Sequence, residues 1–225
     1  KWQYFTFPEN CKSVKIYSEE SEIILGEPVS HKQVSQNNSR PKCVVLLVLD
    51  SLSQIVFDKI ERETLMPNTM EYFNSGRIFT NHYAQGEWSL PNNASILTGL
   101  YTSNHCLYQP ETIVNLRNRG EVSLPVGLNN KSPLLSEVFR NEGYLTFAGN
   151  ANWRVHPLYK YTRGFDRFLY YGNTTSDREL IYDATQQINA FPKRDHFLYL
   201  NLLKIHSEEY PAWTFSSEVN CDIED

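Results

Sequence analysis

A chain of 225 residues with 40% hydrophobic and 21% charged content can build one sizeable globular core. Its net charge of −5, with no dense Lys/Arg cluster, argues against nucleic acid as a partner, because neutralising phosphates takes a basic face. The best apolar run, "CVVLLVLD", is far shorter than the roughly 20 residues a bilayer needs, so no membrane segment is expected.

Residues 1–41 read as a β-rich N-terminal segment and linker. Short strand-like runs ("YFTF", "SVKIYS", "EIIL") are broken by Pro, Glu and Ser, and "SHKQVSQNNSRPK" has almost no apolar residues. From residue 42 the texture changes to an α/β domain that runs to 225. "CVVLLVLD" predicts a central parallel strand buried on both faces. "MPNTMEYFNSG" predicts a helix with Pro67 near its start and Gly76 just past its end, and "RIFTNHYA" a strand. "SPLLSEVFRNEG" predicts a helix capped by Ser132 and Gly143, and "YLTFAGN" a strand. "SDRELIYDATQQINAF" has helical spacing, and "HFLYLNLLKIH" predicts a strand ending in His206. Alternating strands and helices favour an α/β fold with a mostly parallel sheet flanked by helices.

The four cysteines, Cys11, Cys43, Cys106 and Cys221, form no CxxC pair, so a structural zinc site is not expected. Their spacing permits two disulfides without requiring them. No signal peptide is visible, and the chain begins with Lys1 rather than Met, which leaves the compartment open.

Ligands of such sheets sit beyond the carboxyl ends of the strands. Asp50, Asn150 and His206 fall at three predicted strand ends. Asp50 offers hard anionic oxygens for a divalent cation, or simply caps a helix beginning "DSLS". Ser89, in "EWSLPNNASILTG", also has two readings. Pro91 suits a first helical turn, and that helix would turn its free N–H groups toward Ser89. Ser89 is then a nucleophile at an anion-stabilising helix mouth, or an ordinary cap.

From "VVLLVLDSL" through "MPNTMEYFNSGRIFTNHYAQGEWSLPNNASILTGLYTSNH" to "GFDRF", the chain resembles the N-terminal half of a sulfatase, in the alkaline phosphatase superfamily. Ser89, Pro91, Leu97, Thr98 and Gly99 fall in register with that family's Cys/Ser-x-Pro signature and its Leu-Thr-Gly. "GYLTFAGNANW" occupies the place of its Gly-Lys-Trp-His segment, and "FLYLNLLKIHSEEYP" resembles the strand bearing a substrate-binding His. The resemblance implies that Asp50 is a metal ligand and Ser89 the nucleophile position. His206 would contact the ester or protonate its leaving group. The metal implied is Ca²⁺ first, with Mg²⁺, Mn²⁺ or Zn²⁺ as alternatives. The substrate implied is a sulfated or phosphorylated small molecule or glycan. It also tilts the compartment toward an extracytoplasmic one.

Several positions depart from the family's pattern. Its Arg is Asn93, the Lys and His of its Gly-Lys-Trp-His segment are Asn150 and Asn152, and its second Asp is Ser51. Asn93, Asn150 and Asn152 are expected to bind substrate through neutral hydrogen bonds, about half as strong as charge-assisted ones. Asn93 also argues against formylglycine at Ser89. The family's remaining metal ligands are expected in a C-terminal segment beyond Asp225.

His105 reads as structural. His156 and Lys160 either replace the lost cations or are solvated loop residues. Sequons stand at Asn37, Asn93, Asn130 and Asn173, and a glycan on Asn93 would block the site, so that one is expected to be unused. The leading expectation is a metal-dependent sulfatase-like hydrolase that cleaves a sulfate ester. The alternatives are a phosphoester hydrolase or phosphotransferase using unmodified Ser89, and a catalytically inactive carbohydrate- or protein-binding relative.

Overall fold

The computed structural model describes residues 7–8, 10–19, 41–52, 54, 58, 61–108, 127–172 and 176–206. Four parallel strands carry the fold: β1 (Cys43–Leu49), β2 (Leu145–Asn150), β3 (Arg167–Tyr170) and β4 (His196–Leu202). Their order across the sheet is β1-β4-β2-β3. The helices are α1 (Arg62–Leu65), α2 (Pro67–Tyr72), α3 (Ser89–Thr98), α4 (Thr102–His105), α5 (Leu135–Asn141) and α6 (Asp177–Ala190).

Strand β4 is buried along its whole length because both of its faces are covered. Its side chains alternate between two cores, as the period of 2 demands. Phe197 and Tyr199 enter one core with Leu90, Ala94 and Leu97 of α3, where Phe139 of α5 stacks on Phe197 at 4.3 Å. Leu198, Leu200 and Leu202 enter the other with Leu180 and Ala184 of α6. Helix–sheet–helix layering follows, and it fixes α3 on the face to which Tyr199 and Asn201 belong.

Helix α6 starts where the sequence says it should. Ser176 accepts from Glu179 N while Glu179 reaches back to Ser176 N, a reciprocal cap. Helix α3 ends at Gly99, whose φ of 68° is the left-handed conformation that closes a helix C-terminus.

Several expectations change. Strand β1 lies at the edge of the described sheet rather than its centre. Leu46 and Val48 pack against the α3-side core, but Val45 is 51% and Leu47 48% exposed. An unbroken apolar run therefore does not by itself mean burial on both faces. "RIFTNHYA" forms no strand: residues 77–84 have no ladder partner, and Ile78, Phe79 and Tyr83 face outward. The cap of α5 is Leu134 rather than Ser132, because Glu137 folds back to accept from Leu134 N at 2.8 Å. Strand β3 forms within "GFDRFLY", where only a motif was read.

Residues 10–19 are exposed without regular structure, so "SVKIYS" is not a strand. The runs at 4–7 and 22–25, apart from Phe7, and most of the linker lie outside the described residues. Cys11, Cys43 and Cys106 are free, and Cys221 lies outside the described residues. Among the described residues no helix is long and apolar enough to cross a membrane.

Candidate functional site

Asp50 follows β1 directly, and its backbone N donates to Leu202 O, which pins it beside the end of β4. Ser89 is the first residue of α3, after Trp88 in extended conformation (φ −141°, ψ 171°). The approach to the helix is held by Asn92. Its amide accepts from Gly86 N at 2.9 Å and donates to Gly86 O at 2.7 Å and Trp88 O at 3.0 Å. Gly86 is needed there, since a Cβ would stand 2.6 Å from the Pro91 ring. Ser89 is thus not the cap of α3; its hydroxyl is left to point elsewhere.

It points at the carboxylate. Ser89 Oγ donates to Asp50 Oδ2 at 2.9 Å. Asn152 Nδ2 donates to the same oxygen, and Asn152 Oδ1 accepts from Arg154 N at 2.8 Å. Asp50, Ser89 and Asn152 therefore meet at one carboxylate oxygen, from three separate stretches of chain.

The other two asparagines lie beneath this group, not at its mouth. Asn93 is only 2% exposed. Its Nδ2 donates to Ser89 O at 2.8 Å, and its Oδ1 accepts from Tyr199 Oη at 2.5 Å and Asn201 Nδ2 at 3.1 Å. Asn150 is fully buried and shapes the turn after β2. It accepts from Asn152 N at 3.0 Å and donates to Asn152 O at 3.0 Å and Val155 O at 2.8 Å. Both amides are buried and hydrogen-bonded inside the protein, Asn93 to Ser89, Tyr199 and Asn201 and Asn150 to the 152–155 turn.

His206 stands four residues past the end of β4, not at its tip, and its N donates to Leu203 O at 3.0 Å. No hydrogen bond among the described residues joins it to Asp50 or Ser89. The turn carrying it is fixed by Asp177 of α6, which accepts from Leu203 N at 3.1 Å and Lys204 N at 3.0 Å. Burial raises the Asp177 carboxyl above its usual range, and those two amides oppose the shift. His105 is structural: its Nδ1 accepts from Leu107 N at 3.0 Å and its Nε2 lies 3.0 Å from Ser95 Oγ.

Sequence reasoning missed Tyr199 and Asn201. They stand two apart in "FLYLNLL", so a strand period puts both on one face, and polar atoms in so apolar a strand were the available signal. Burial pushes the Tyr199 phenol well above its ordinary value, and the Asp50 charge adds to that. It is a neutral donor at any physiological pH.

A divalent metal finds little here. Asp50 is the sole carboxylate of the cluster, and no three of His, Cys, Asp and Glu gather among the described residues. Calcium takes six to eight oxygens. The described residues do not make such a site by themselves.

The sulfatase family matches residues 42–224. Among solved structures, a protein in the alkaline phosphatase superfamily from Vibrio parahaemolyticus is similar, with a TM-score of 0.55 and 22% identity over 84% of this chain and 46% of that one. The C-terminal periplasmic domain of EcEptC from Escherichia coli is also similar, with a TM-score of 0.51 and 16% identity over 81% of this chain and 48% of that one. The chain spans about half the length of either. No curated protein sequence matches it. With its parallel sheet, its flanking helices and a match over most of its length, this chain belongs to the sulfatase family.

Proposed function

We propose that this chain carries the nucleophile half of an ester hydrolase acting on a sulfate or phosphate monoester, with unmodified Ser89 as the attacking group. One observation carries the reading: the 2.9 Å bond from Ser89 Oγ to Asp50 Oδ2 at the mouth of α3. A serine hydroxyl is a weak nucleophile until a base takes its proton. Asp50 is already the acceptor of that proton. Attack forms a bond from Oγ to sulfur or phosphorus, the ester C–O–S or C–O–P linkage breaks on the alcohol side of the central atom, and the alcohol leaves. Water then releases the acid and regenerates Ser89.

Asn152 holds Asp50 in place, and Asn93 holds the Ser89 carbonyl, so the two reacting side chains are oriented before substrate arrives. The helix terminus adds positive potential where negative charge develops on the ester oxygens. His206, in the turn after β4 whose start Asp177 holds, is proposed as the leaving-group acid.

The phosphate reading gains from Asn93. A sulfatase working through formylglycine normally has an arginine there, whereas this pocket holds a small neutral amide bonded on both ends. The test is a pair of rates, on an aryl sulfate and an aryl phosphate, for the protein and for Ser89→Ala. Turnover of either ester that disappears with the hydroxyl supports the reading. No turnover, or turnover that survives Ser89→Ala, removes it and favours a catalytically silent binding relative.

A further inference from the structure

The side chains hydrogen-bonded to Ser89 and Asp50 are neutral amides, and Asp50 itself is a carboxylate. An anionic ester brought to such a site is repelled by Asp50 unless a cation faces it. The positions that carry cations in the family are Asn93, Asn150 and Asn152 in this chain.

Several other described cations are engaged with partners of their own. Arg140 pairs with Asp166 at 3.0 Å, and Arg163 with Glu137 at 3.4 Å. Lys160 Nζ donates to Asn130 Oδ1 at 3.3 Å. His156 accepts from Leu158 N through Nδ1, packs edge-on to Tyr170 at 4.6 Å, and burial favours its neutral form. Lys204 feels the charges of Asp177 and Glu179. Arg154 differs from these. It has no acidic partner among the described residues, and its guanidinium lies over the Trp153 ring, 4.6 Å from the centroid.

Arg154 is also placed by the site itself. Its N donates to Asn152 Oδ1, the same Asn152 whose amide holds Asp50. The short turn Trp153–Val155 that carries it packs against α3, the helix of Ser89. Its charge reaches inward as well: burial raises the Tyr159 phenol, and Arg154 opposes the shift. Tyr159 shares a core with Leu90, the neighbour of Ser89.

Resting on the ester-hydrolase reading above, we infer that the Arg154 guanidinium, shelved on the Trp153 ring in the turn whose backbone Asn152 holds, is the anion-binding cation of this site and takes the sulfate or phosphate group of the ester. A planar guanidinium forks onto two oxygens of a tetrahedral oxyanion, which an ammonium cannot do. Stacking on an aromatic ring holds it extended without neutralising it. Trp153, itself 44% exposed, leaves ring surface for the alcohol part of the substrate.

The test is calorimetric titration with inorganic phosphate and inorganic sulfate, on the protein, Arg154→Gln, Arg154→Lys and Trp153→Ala. The expected result is binding that weakens at least tenfold in Arg154→Gln, less in Arg154→Lys and Trp153→Ala, with melting temperatures unchanged. Equal affinity in the protein and Arg154→Gln, or no binding of either anion at millimolar concentration, overturns the assignment. The two readings fail separately. Arg154-dependent binding without ester turnover keeps the anion site and removes the hydrolase. Ser89-dependent turnover with the same KM in Arg154→Gln keeps the hydrolase and removes the anion site.

Discussion

Tyr199 Oη donates to Asn93 Oδ1 at 2.5 Å, and this bond joins the middle of β4 to the helix that presents Ser89. Both residues are buried, and Asn93 passes the constraint on through its own amide to the Ser89 carbonyl. Ser89 is thus referenced to a strand that is buried along its whole length.

Asn93→Ala leaves the Tyr199 hydroxyl without its acceptor and takes from the Asn201 amide one of two, the other being Tyr199 Oη at 3.3 Å. A buried polar group without a partner costs about 1–3 kcal/mol, so urea unfolding should show a loss of about 2–3 kcal/mol. Asn93→Arg, which installs the family's usual residue, should cost more than Asn93→Ala, because a guanidinium would be buried against two donors. An Asn93→Arg protein as stable as the unaltered one would contradict the described packing.

Ser89→Ala should be close to neutral for the fold. It removes one part-buried hydrogen bond to Asp50, worth about 1–2 kcal/mol at most, and leaves the helix cap intact because Ser89 does not cap. Thermal unfolding within a few degrees of the unaltered protein is the expected result. A collapse of the fold would assign Ser89 a structural duty that this geometry does not give it.

Stability should fall as pH drops below neutral. Burial lowers the His105 and His196 imidazoles below their ordinary value, with backbone carbonyl contacts opposing in each case. A depressed histidine contributes fully above its unfolded value of about 6.5 and loses that contribution as pH falls through the folded value. Protonating His105 Nδ1 also breaks its bond from Leu107 N. Urea midpoints between pH 7.5 and 5 should decline, and His105→Gln should flatten part of the decline. An unchanged slope would remove His105 as a cause.

Asn93 should carry no glycan in any host that glycosylates sequons, since its amide is buried and bonded on both sides. Peptide mass spectrometry after expression in a secretory eukaryotic host checks this. A glycosylated Asn93 peptide from folded protein would contradict its burial.

Among the described residues Asp50 brings one carboxylate to its cluster, too few oxygens for Ca²⁺, so these residues by themselves should hold the ion no more tightly than about millimolar. Titration calorimetry reads this directly. Submicromolar binding would mean that further ligands lie among residues outside those described.

The layer architecture was legible because it rests on local signals. Helical spacing announces α6, Pro91 marks the first turn of α3, and alternating elements of ordinary length imply a parallel sheet. The meeting of Asp50 and Ser89 was reachable through motif order. What could not be read were facts fixed by neighbours. The edge position of β1 depends on which strand pairs with it, and "RIFTNHYA" looks like a strand until no ladder receives it. Asn93 and Asn150 were read as ligand contacts because an amide is chemically able to be one. Packing turned both inward, toward Tyr199 in one case and the 152–155 turn in the other. Arg154 was overlooked because its distinction is the absence of an acidic neighbour among the described residues, which only three dimensions display.

The central claim concerns one oxygen, Ser89 Oγ. Acid-quenching the protein during turnover of an aryl phosphate or aryl sulfate and mass-analysing the tryptic peptide that contains residues 78–117 tests it most directly. The account predicts one phosphoryl or sulfuryl group on Ser89, absent from Ser89→Ala. A serine-mass Ser89 during active turnover, or the group on another residue, would contradict it.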